Sequence, residues 1–576
     1  MFSFISKFID RQALLALMVY SILCLTFFGK DVVSHGIASG GIGGGAWDIV
    51  YFAWFLEWWR YSFLHLSNPF YTTMIFAARG IDLSWNPLIM PTFGIILMPL
   101  TIIFGAIQTA NILLFLLPVL AALSVFVLCH HLTKAFLPSL LAGYIFGFSS
   151  YMQDAYIQSL PNTGSIFLIP ILVFISLRLI EGNMKTSSFV IFSTTILSLQ
   201  FGIFPETCLT MVLFGIVFLA ICFTFMENRN DRIKILRLTR WLFVSSIFSF
   251  VIISPELYGM LVKHYYSGPK FGWSRSDLLS FLIPNYMNMI GGGTFRSLSQ
   301  KFVTGPWSVS GYLGLPLFIV IILFVKKYLQ TLRGKILSIS FLAIFVSSLG
   351  GPTLLIAGAP TISMPWKYLM HVPLLDDAQP HRFTLYLFLI ASVMVAQWTS
   401  DASINVRFRW LLSLLIIVFL IPVQSGSTLQ REPSFFSSGL YAKYFSKGDN
   451  VFIVSDTFGM QEQLEIHFFL KIPDGISEGP DTTSSDPDQK SVSDFLREGK
   501  GLNEPRNTLS RFFIKEHVKA IVVTQGFRKR VDALLRPLGL TSIDVQDVKI
   551  YIIKSPDKHN LFSKFHKDKP LIETGG

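Results

Sequence analysis

Charged side chains are scarce. Asp, Glu, Lys and Arg make up 14% of this 576-residue chain, against roughly 25% in typical soluble domains. The shortage leaves too little polar surface for a chain of several ordinary soluble domains, and the 52% of hydrophobic residues excludes a disordered one. Cysteine is scarcer still. Cys24, Cys129, Cys208 and Cys222 all fall inside apolar segments, and none forms a CxxC pair. They read as small buried hydrophobes; a secreted disulfide scaffold is excluded, and no disulfide is expected. The common chemical signatures are missing as well. There is no GxxxxGK[ST] loop, no HExxH and no EF-hand loop. The adjacent His130 and His131 point to different sides of a helix and do not suit a shared metal.

What is present is apolar surface in long blocks. The chain carries 55 Phe and a mean hydropathy of +0.55. Runs of this length read as membrane spans, each near the ~20 residues a bilayer core needs. The net charge of +12 does not signal nucleic acid, because Lys and Arg sit mostly between the apolar blocks. Spans are expected at 14–28, 108–130, 136–149, 163–181, 187–204, 207–226, 241–262, 312–329, 336–350, 381–399 and 410–424, about eleven in all. The segment 87–106 is apolar, but Pro87, Pro91 and Pro99 interrupt it. It is placed as a helix lying on or dipping into the outer face.

Sidedness follows from the basic residues. The segments 227–240 and 326–335 are rich in Lys and Arg and 130–135 holds Lys134, whereas the turns 150–162 and 201–206 hold none. Positive charge collects on the cytoplasmic side. The N-terminus is therefore read as cytoplasmic, and an uncleaved first span is expected. Three long segments then lie outside: 30–107, 263–311 and 351–380.

The chain beyond residue 425 lies outside too, and its composition differs. VFIVS (451–455), AIVVT (520–524) and YII (551–553) read as buried strands. FRKRVDALLRPLG reads as an amphipathic helix ended by Gly539, and DGISEGPDTTSSDPDQKS as a polar loop. The expected architecture is an α-helical polytopic membrane domain over 1–424, with interfacial helices in its first outer loop (30–107), followed by a small extracytoplasmic α/β domain over 425–576.

The outer face carries the informative residues. GIASGGIGGG (36–45) lacks a preceding strand and reads as a flexible lead-in. The stretch that follows it is rich in Trp and Tyr, as a helix lying in the membrane interface would be. At ~100° per residue, Asp48 shares a face with Tyr51, Phe52, Phe55 and Trp59, while Glu57 points the opposite way, towards water. Two readings of Asp48 stand side by side: a helix N-cap worth ~1 kcal/mol, or a base whose pKa is raised by partial desolvation. Asp154, Glu206 and Glu256 are further outer-face acids. Glu206 follows Pro205 at a helix start, where the dipole alone would favour it. Glu256 follows Pro255, and snorkelling would account for it equally. Arg60, Lys263, His264, Lys270, Arg275, Lys367, His381 and Arg382 lie near outer span ends. They fit anionic headgroups or a converging phosphate site. Arg382 at a span start suits bidentate phosphate contact.

These residues resemble the GT-C superfamily of polytopic glycosyltransferases, in particular bacterial members using polyprenyl-phosphate sugars. The resemblance rests on the order of several pieces: Asp48 with Trp54, Phe55, Leu56 and Trp58; NPFYT (68–72); GIDLSWN (80–86); GFSSYM (147–152); QFGIFPE (200–206); GYLGLP (311–316); and PHRF (380–383). The family pattern has Gly directly before its acid, whereas Ala46 and Trp47 separate Gly45 from Asp48 here. The resemblance implies a lipid-linked sugar donor used on the outer face with inversion. It implies Asp48 and Glu206 as catalytic acids and Arg382 as a substrate-binding group. Lys263, Lys367, Asp154 and Glu256 are additional candidates for binding substrate.

No cofactor is expected; a divalent metal held by Asp48, Asp154 and Glu206 is the less favoured alternative. The expected partners are a polyprenyl-phosphate-linked sugar, membrane lipid and a glycan, glycolipid or protein acceptor. The expected location is the cytoplasmic membrane. A transporter or flippase, and a lipid-linked polymer ligase or polymerase, are the competing readings. The first would want charge at mid-span and helices broken in paired halves, and neither is visible.

Overall fold

Long apolar runs bury their backbone polar groups in their own hydrogen bonds, so they fold as helices wherever water is absent. The computed structural model describes residues 11–35, 46–84, 86, 88–263, 275–302, 311–364, 366–369, 378–423, 433–475 and 487–553. Among them, eight helices are long and apolar enough to cross a bilayer: Arg11–Gly29, Ala106–Thr133, Pro161–Ile180, Thr186–Ile203, Pro205–Phe225, Arg229–Ile252, Leu332–Leu349 and Pro380–Ser400. The remaining expected spans are shorter apolar helices, Phe136–Gly147, Leu315–Tyr328 and Val406–Phe419. The proline-interrupted segment forms two short helices, Pro91–Ile96 and Met98–Phe104, each far below the length a span requires. The four cysteines are buried and free.

One boundary differs from expectation. The basic stretch 227–240 reads as an inner loop, yet it is the first half of the helix Arg229–Ile252. The Asn228 side chain accepts from the Asn230 N–H and Asp231 sits in the first turn, so the start is capped by side-chain oxygen and favoured by the dipole. Hydropathy registers only the apolar second half of such a helix.

The described chain divides into two compact units. The first comprises Met1–Phe52, Met90–Leu257 and Ser267–Leu429, and holds the spans. Its interior helix is Pro380–Ser400, of which 89% of the apolar window is buried by neighbours, whereas Arg229–Ile252 is 22% buried and peripheral. Small residues set the closest approach. A Cβ on Gly147 would lie 2.5 Å from the Pro118 carbonyl oxygen, and one on Gly143 2.5 Å from that of Ala122. Glycine at both positions therefore lets Phe136–Gly147 pack directly on Ala106–Thr133. The Tyr20 hydroxyl donates to the Leu140 carbonyl (2.8 Å) and ties Arg11–His35 to the same pair.

The second unit comprises Ala53–Ile89, Tyr258–Tyr266 and Gln430–Gly576. Its centre is a four-stranded sheet. Asn450–Val454 pairs in parallel with Val518–Thr524; Val518–Thr524 pairs antiparallel with Val548–Ile552, whose other neighbour is Ser542–Val545. The three expected strands are present, and the edge strand Ser542–Val545 is the addition. Helices Pro487–Glu498, Pro505–Lys515 and Arg528–Leu535 cover a core that includes Phe452, Leu496, Phe512, Val531 and Tyr551. Gly539, at φ 87°, follows the last turn as expected of a helix-ending glycine. The segment read as a polar loop becomes helical from Pro487; residues 476–486 lie outside the described residues.

The aromatic helix belongs in part to this unit. Trp54, Trp58 and Tyr61 stack in turn at 6.0 and 5.8 Å and set their edges against Phe468. The Trp54 indole donates to Gln463 (2.9 Å). Trp54 and Trp58 are buried in protein, and Tyr61 is partly buried. Glu57, expected to point towards water, is 2% exposed, which corrects that expectation. Its carboxylate accepts from Arg60 Nε (2.9 Å) and meets His467 Nδ1 at 3.2 Å. Burial pushes this carboxyl up, but the His467 and Arg60 contacts outweigh it and hold the group below the usual range. Helical spacing alone could not show that residues near 467 would cover that face.

Candidate active site

Asp154, Glu206 and Arg382 of the spanning unit lie near the starts of helical elements. The helix Ser150–Ile157 starts with Ser149, whose hydroxyl accepts from the Met152 N–H (3.2 Å) and fixes the entry of the chain. Its buried face carries Tyr151 and Asp154. Phe204 is extended and breaks Thr186–Ile203 from Pro205–Phe225. Pro205 then opens the new helix at a position where no N–H is needed, and Glu206 follows in the first turn, where the dipole favours an acid. A 3-10 turn, Pro380–Phe383, leads into Thr384–Ser400 and presents Arg382.

These three elements converge. The Arg382 guanidinium forms an ion pair with Glu206 and lies over the Phe204 ring, 5.2 Å from its centroid. The other carboxylate oxygen of Glu206 accepts from the Gln379 N–H (2.9 Å). The two charged side chains are 17% and 16% exposed, so the pair is shielded but open to a ligand. Asp154 is buried and accepts a hydrogen bond from Gln158 one turn on. Burial pushes its carboxyl up to about 7, against the opposing pull of the Gln158 bond and the Arg382 charge. Tyr151 lies in the field of Arg382, Glu206 and Asp154 together, and its hydroxyl donates to the Thr163 carbonyl (3.1 Å). Tyr386 shares a hydrogen bond with Thr210 (2.8 Å) on the neighbouring helix.

Of the residues expected from sequence, Asp154, Glu206 and Arg382 are thus brought together. Glu256 stands apart from them. It is 4% exposed, one of its carboxylate oxygens has no hydrogen-bond partner among the described residues, and an electrostatic neighbour is Cys208, two places beyond Glu206. Burial pushes it up to about 8. Asp48 lies in the first turn of Ala46–Leu64, Lys263 ends Ser254–Lys263, and Lys367 is in the short helix Trp366–Leu369. For these three the described structure includes the backbone alone. His264, Lys270 and the lead-in 36–45 lie outside the described residues. Among the described residues, no three His, Cys, Asp or Glu side chains cluster as a metal set.

Gln379 and Tyr151 were not foreseen. Neither carries a formal charge, so the search for costly membrane charges passed over them. The signal lay in their neighbours: Tyr151 is within GFSSYM and Gln379 immediately precedes PHRF.

No protein-family model and no curated protein matches the sequence. Solved structures do. The arabinofuranosyltransferase AftD from Mycobacteria matches at a TM-score of 0.58 and 13% identity, over 95% of this chain and 40% of that one. The oligosaccharyltransferase AglB from Archaeoglobus fulgidus, solved with an inhibitory peptide and a dolichol-phosphate, matches at 0.50 and 12%, over 90% of this chain and 70% of that one. This chain therefore spans less than half of the mycobacterial protein. At such identities the likeness is one of fold, and it agrees with the resemblance carried by the ordered motifs: the chain has the GT-C fold of polytopic membrane glycosyltransferases.

Proposed function

We propose that this protein transfers a sugar from a polyprenyl-phosphate donor to an acceptor outside the cytoplasmic membrane, with inversion at the anomeric carbon. The observation that carries the reading is the meeting of Glu206 and Arg382, 176 residues apart, beside buried Asp154 in a membrane unit of this fold. A phosphate leaving group needs its charge met more than it needs a proton, and a guanidinium does this in a shielded site. Glu206 holds Arg382 in place and is the second acid near the sugar. Lys263 and Lys367 are candidates for the same phosphate.

The reaction is a single displacement. The acceptor hydroxyl oxygen bonds to the anomeric carbon, the bond from that carbon to the phosphate oxygen breaks, and the hydroxyl proton passes to a base. We assign Asp48 as that base, a role typically worth 10²–10⁴-fold. The donor would lie with its isoprenoid tail in lipid and its phosphate at Arg382, with the N-terminus of the protein in the cytoplasm. Sugar and acceptor identity would be set by groups other than this shared machinery.

The test uses the purified full chain in proteoliposomes loaded with labelled polyprenyl-phosphate sugar and a cell-envelope acceptor fraction. Transfer of label to the acceptor, lost by about 10²–10⁴-fold in a folded Asp48→Asn variant, is the expected result. Label that crosses the bilayer without changing its covalent attachment would establish a flippase instead. Full activity of the variant would remove the base assignment.

A further inference from the structure

The second unit contains a cavity that the proposed transfer chemistry does not use. Asn450–Val454 and Val518–Thr524 are neighbouring parallel strands, and both end at the same edge of the sheet. Loops leaving the carboxyl ends of such strands diverge and leave a crevice, the usual ligand position in open α/β sheets. Here the crevice measures about 310 Å³, at the lower end of the ~300–1,000 Å³ typical of small-molecule sites. One wall is Ser455, Asp456 and Thr457 after the first strand; another is Thr524, Gln525 and Gly526 after the second. The turn before Val548–Ile552 adds Asp547.

Most of this wall is locked by its own hydrogen bonds. The buried Glu462 carboxylate accepts from Ser455 Oγ (3.1 Å) and Thr457 Oγ1 (3.4 Å), and Ser455 Oγ accepts from the Gly459 N–H (3.1 Å). Thr524 Oγ1 donates to the Val454 carbonyl (3.2 Å). Asp547 accepts the backbone N–H groups of Ser434 and Phe435. Two of the three carboxylates are therefore committed to holding the shape. Asp456 and Gln525 make no side-chain hydrogen bond among the described residues and remain available to a ligand.

The chemistry of the lining selects the ligand. Among the described residues, no Lys, Arg or His lines the cavity, so a phosphate or carboxylate would meet three acids there and no cation. The free groups are one carboxylate, which only accepts hydrogen bonds, and one carboxamide, which both donates and accepts. A ligand with several neutral hydroxyls satisfies both, and hydroxyl-to-carboxylate bonds are the stronger, charge-assisted kind. A preformed wall lowers the ordering cost of binding. We infer that this cavity is a binding site for a neutral, hydroxyl-rich sugar, separate from the residues assigned to transfer.

The experiment measures binding without any lipid-linked donor, so its outcome does not depend on the transfer reading. The full chain in nanodiscs is titrated with methyl α-mannopyranoside, methyl β-galactopyranoside and methyl α-arabinofuranoside by saturation-transfer NMR, with glucose 6-phosphate and choline as charged controls. At least one neutral glycoside binds and glucose 6-phosphate does not. Asp456→Ala weakens that binding about tenfold. Gly526→Leu abolishes it by filling the mouth: a Cβ at Gly526 meets nothing within 4 Å, so the backbone accepts the larger residue. Unchanged thermal unfolding of both variants shows that the unit still folds. No binding by any of the three glycosides, undiminished binding in both variants, or preference for choline would each overturn the inference.

Discussion

Each unit contains an arginine–carboxylate pair, and the two pairs are built differently. In the second unit Arg497 and Asp474 are 6% and 5% exposed. Arg497 donates to Asp474 through Nε (3.2 Å) and Nη2 (2.9 Å), and also to the carbonyls of Ser455 (3.1 Å) and Ile453 (2.8 Å). Its guanidinium lies over the rings of Phe452 and Phe458 at 5.0 and 4.4 Å. Its fork is saturated by groups that belong to the fold. In the spanning unit Arg382 has, among the described residues, one ion pair and one ring, and it keeps about three times the exposure. A guanidinium left with unused donors in a shielded place is poised for an external anion; a saturated one is a structural tie. The distinction separates function from packing where sequence presents two similar arginines.

The sharpest way to break this comparison is to remove each arginine. Arg497→Leu strands Asp474 as an uncompensated buried acid, a loss of about 3–5 kcal/mol. It is expected as a large fall in thermal stability and early proteolysis of the second unit. Arg382→Gln is expected to leave unfolding nearly unchanged and to lower sugar transfer by about 10²–10³-fold, the scale of losing one preorganised charge partner. The reverse pattern, with Arg382 the more damaging to stability, would show that both pairs are structural and would remove the phosphate assignment.

Much of the fold was legible because hydropathy reports burial in lipid directly. Every apolar run read as a span is helical, and the short apolar stretches after residue 425 are strands. The misreadings fall where a second surface decides the outcome. Glu57 sits on the polar side of its own helix by spacing, yet residues near His467, 410 positions later, cover it. The Arg229–Arg240 stretch is helical because capping and continuity with the following span favour it, although its hydropathy is that of a loop. In the candidate site, Glu206 and Arg382 were each visible from their motifs, but nothing local to either shows that they meet. Gln379 contributes only a backbone N–H to Glu206. Any non-proline residue could supply that group, so side-chain chemistry carries no trace of it.

Asp154 gives a smaller and finer test of the spanning unit. Its carboxyl stands near 7 in the folded protein because burial disfavours the charged form; in an unfolded chain it would stand near the ordinary ~3.9. Between about pH 4 and about pH 7 the folded state therefore holds a proton that the unfolded state has released. Stability falls as pH rises through that window and levels off above it. Asp154→Asn abolishes this titration while keeping a carbonyl to accept from Gln158. The melting temperature of the variant relative to the parent is expected to climb from about pH 4 to about pH 7 and then stay constant. The positive charge of Arg382 now pulls the Asp154 carboxyl down, so in an Arg382→Gln background the same climb should extend to higher pH. A difference that is flat with pH in both backgrounds would mean that Asp154 is solvated and outside the field of Arg382, and that the three residues do not form one electrostatic site.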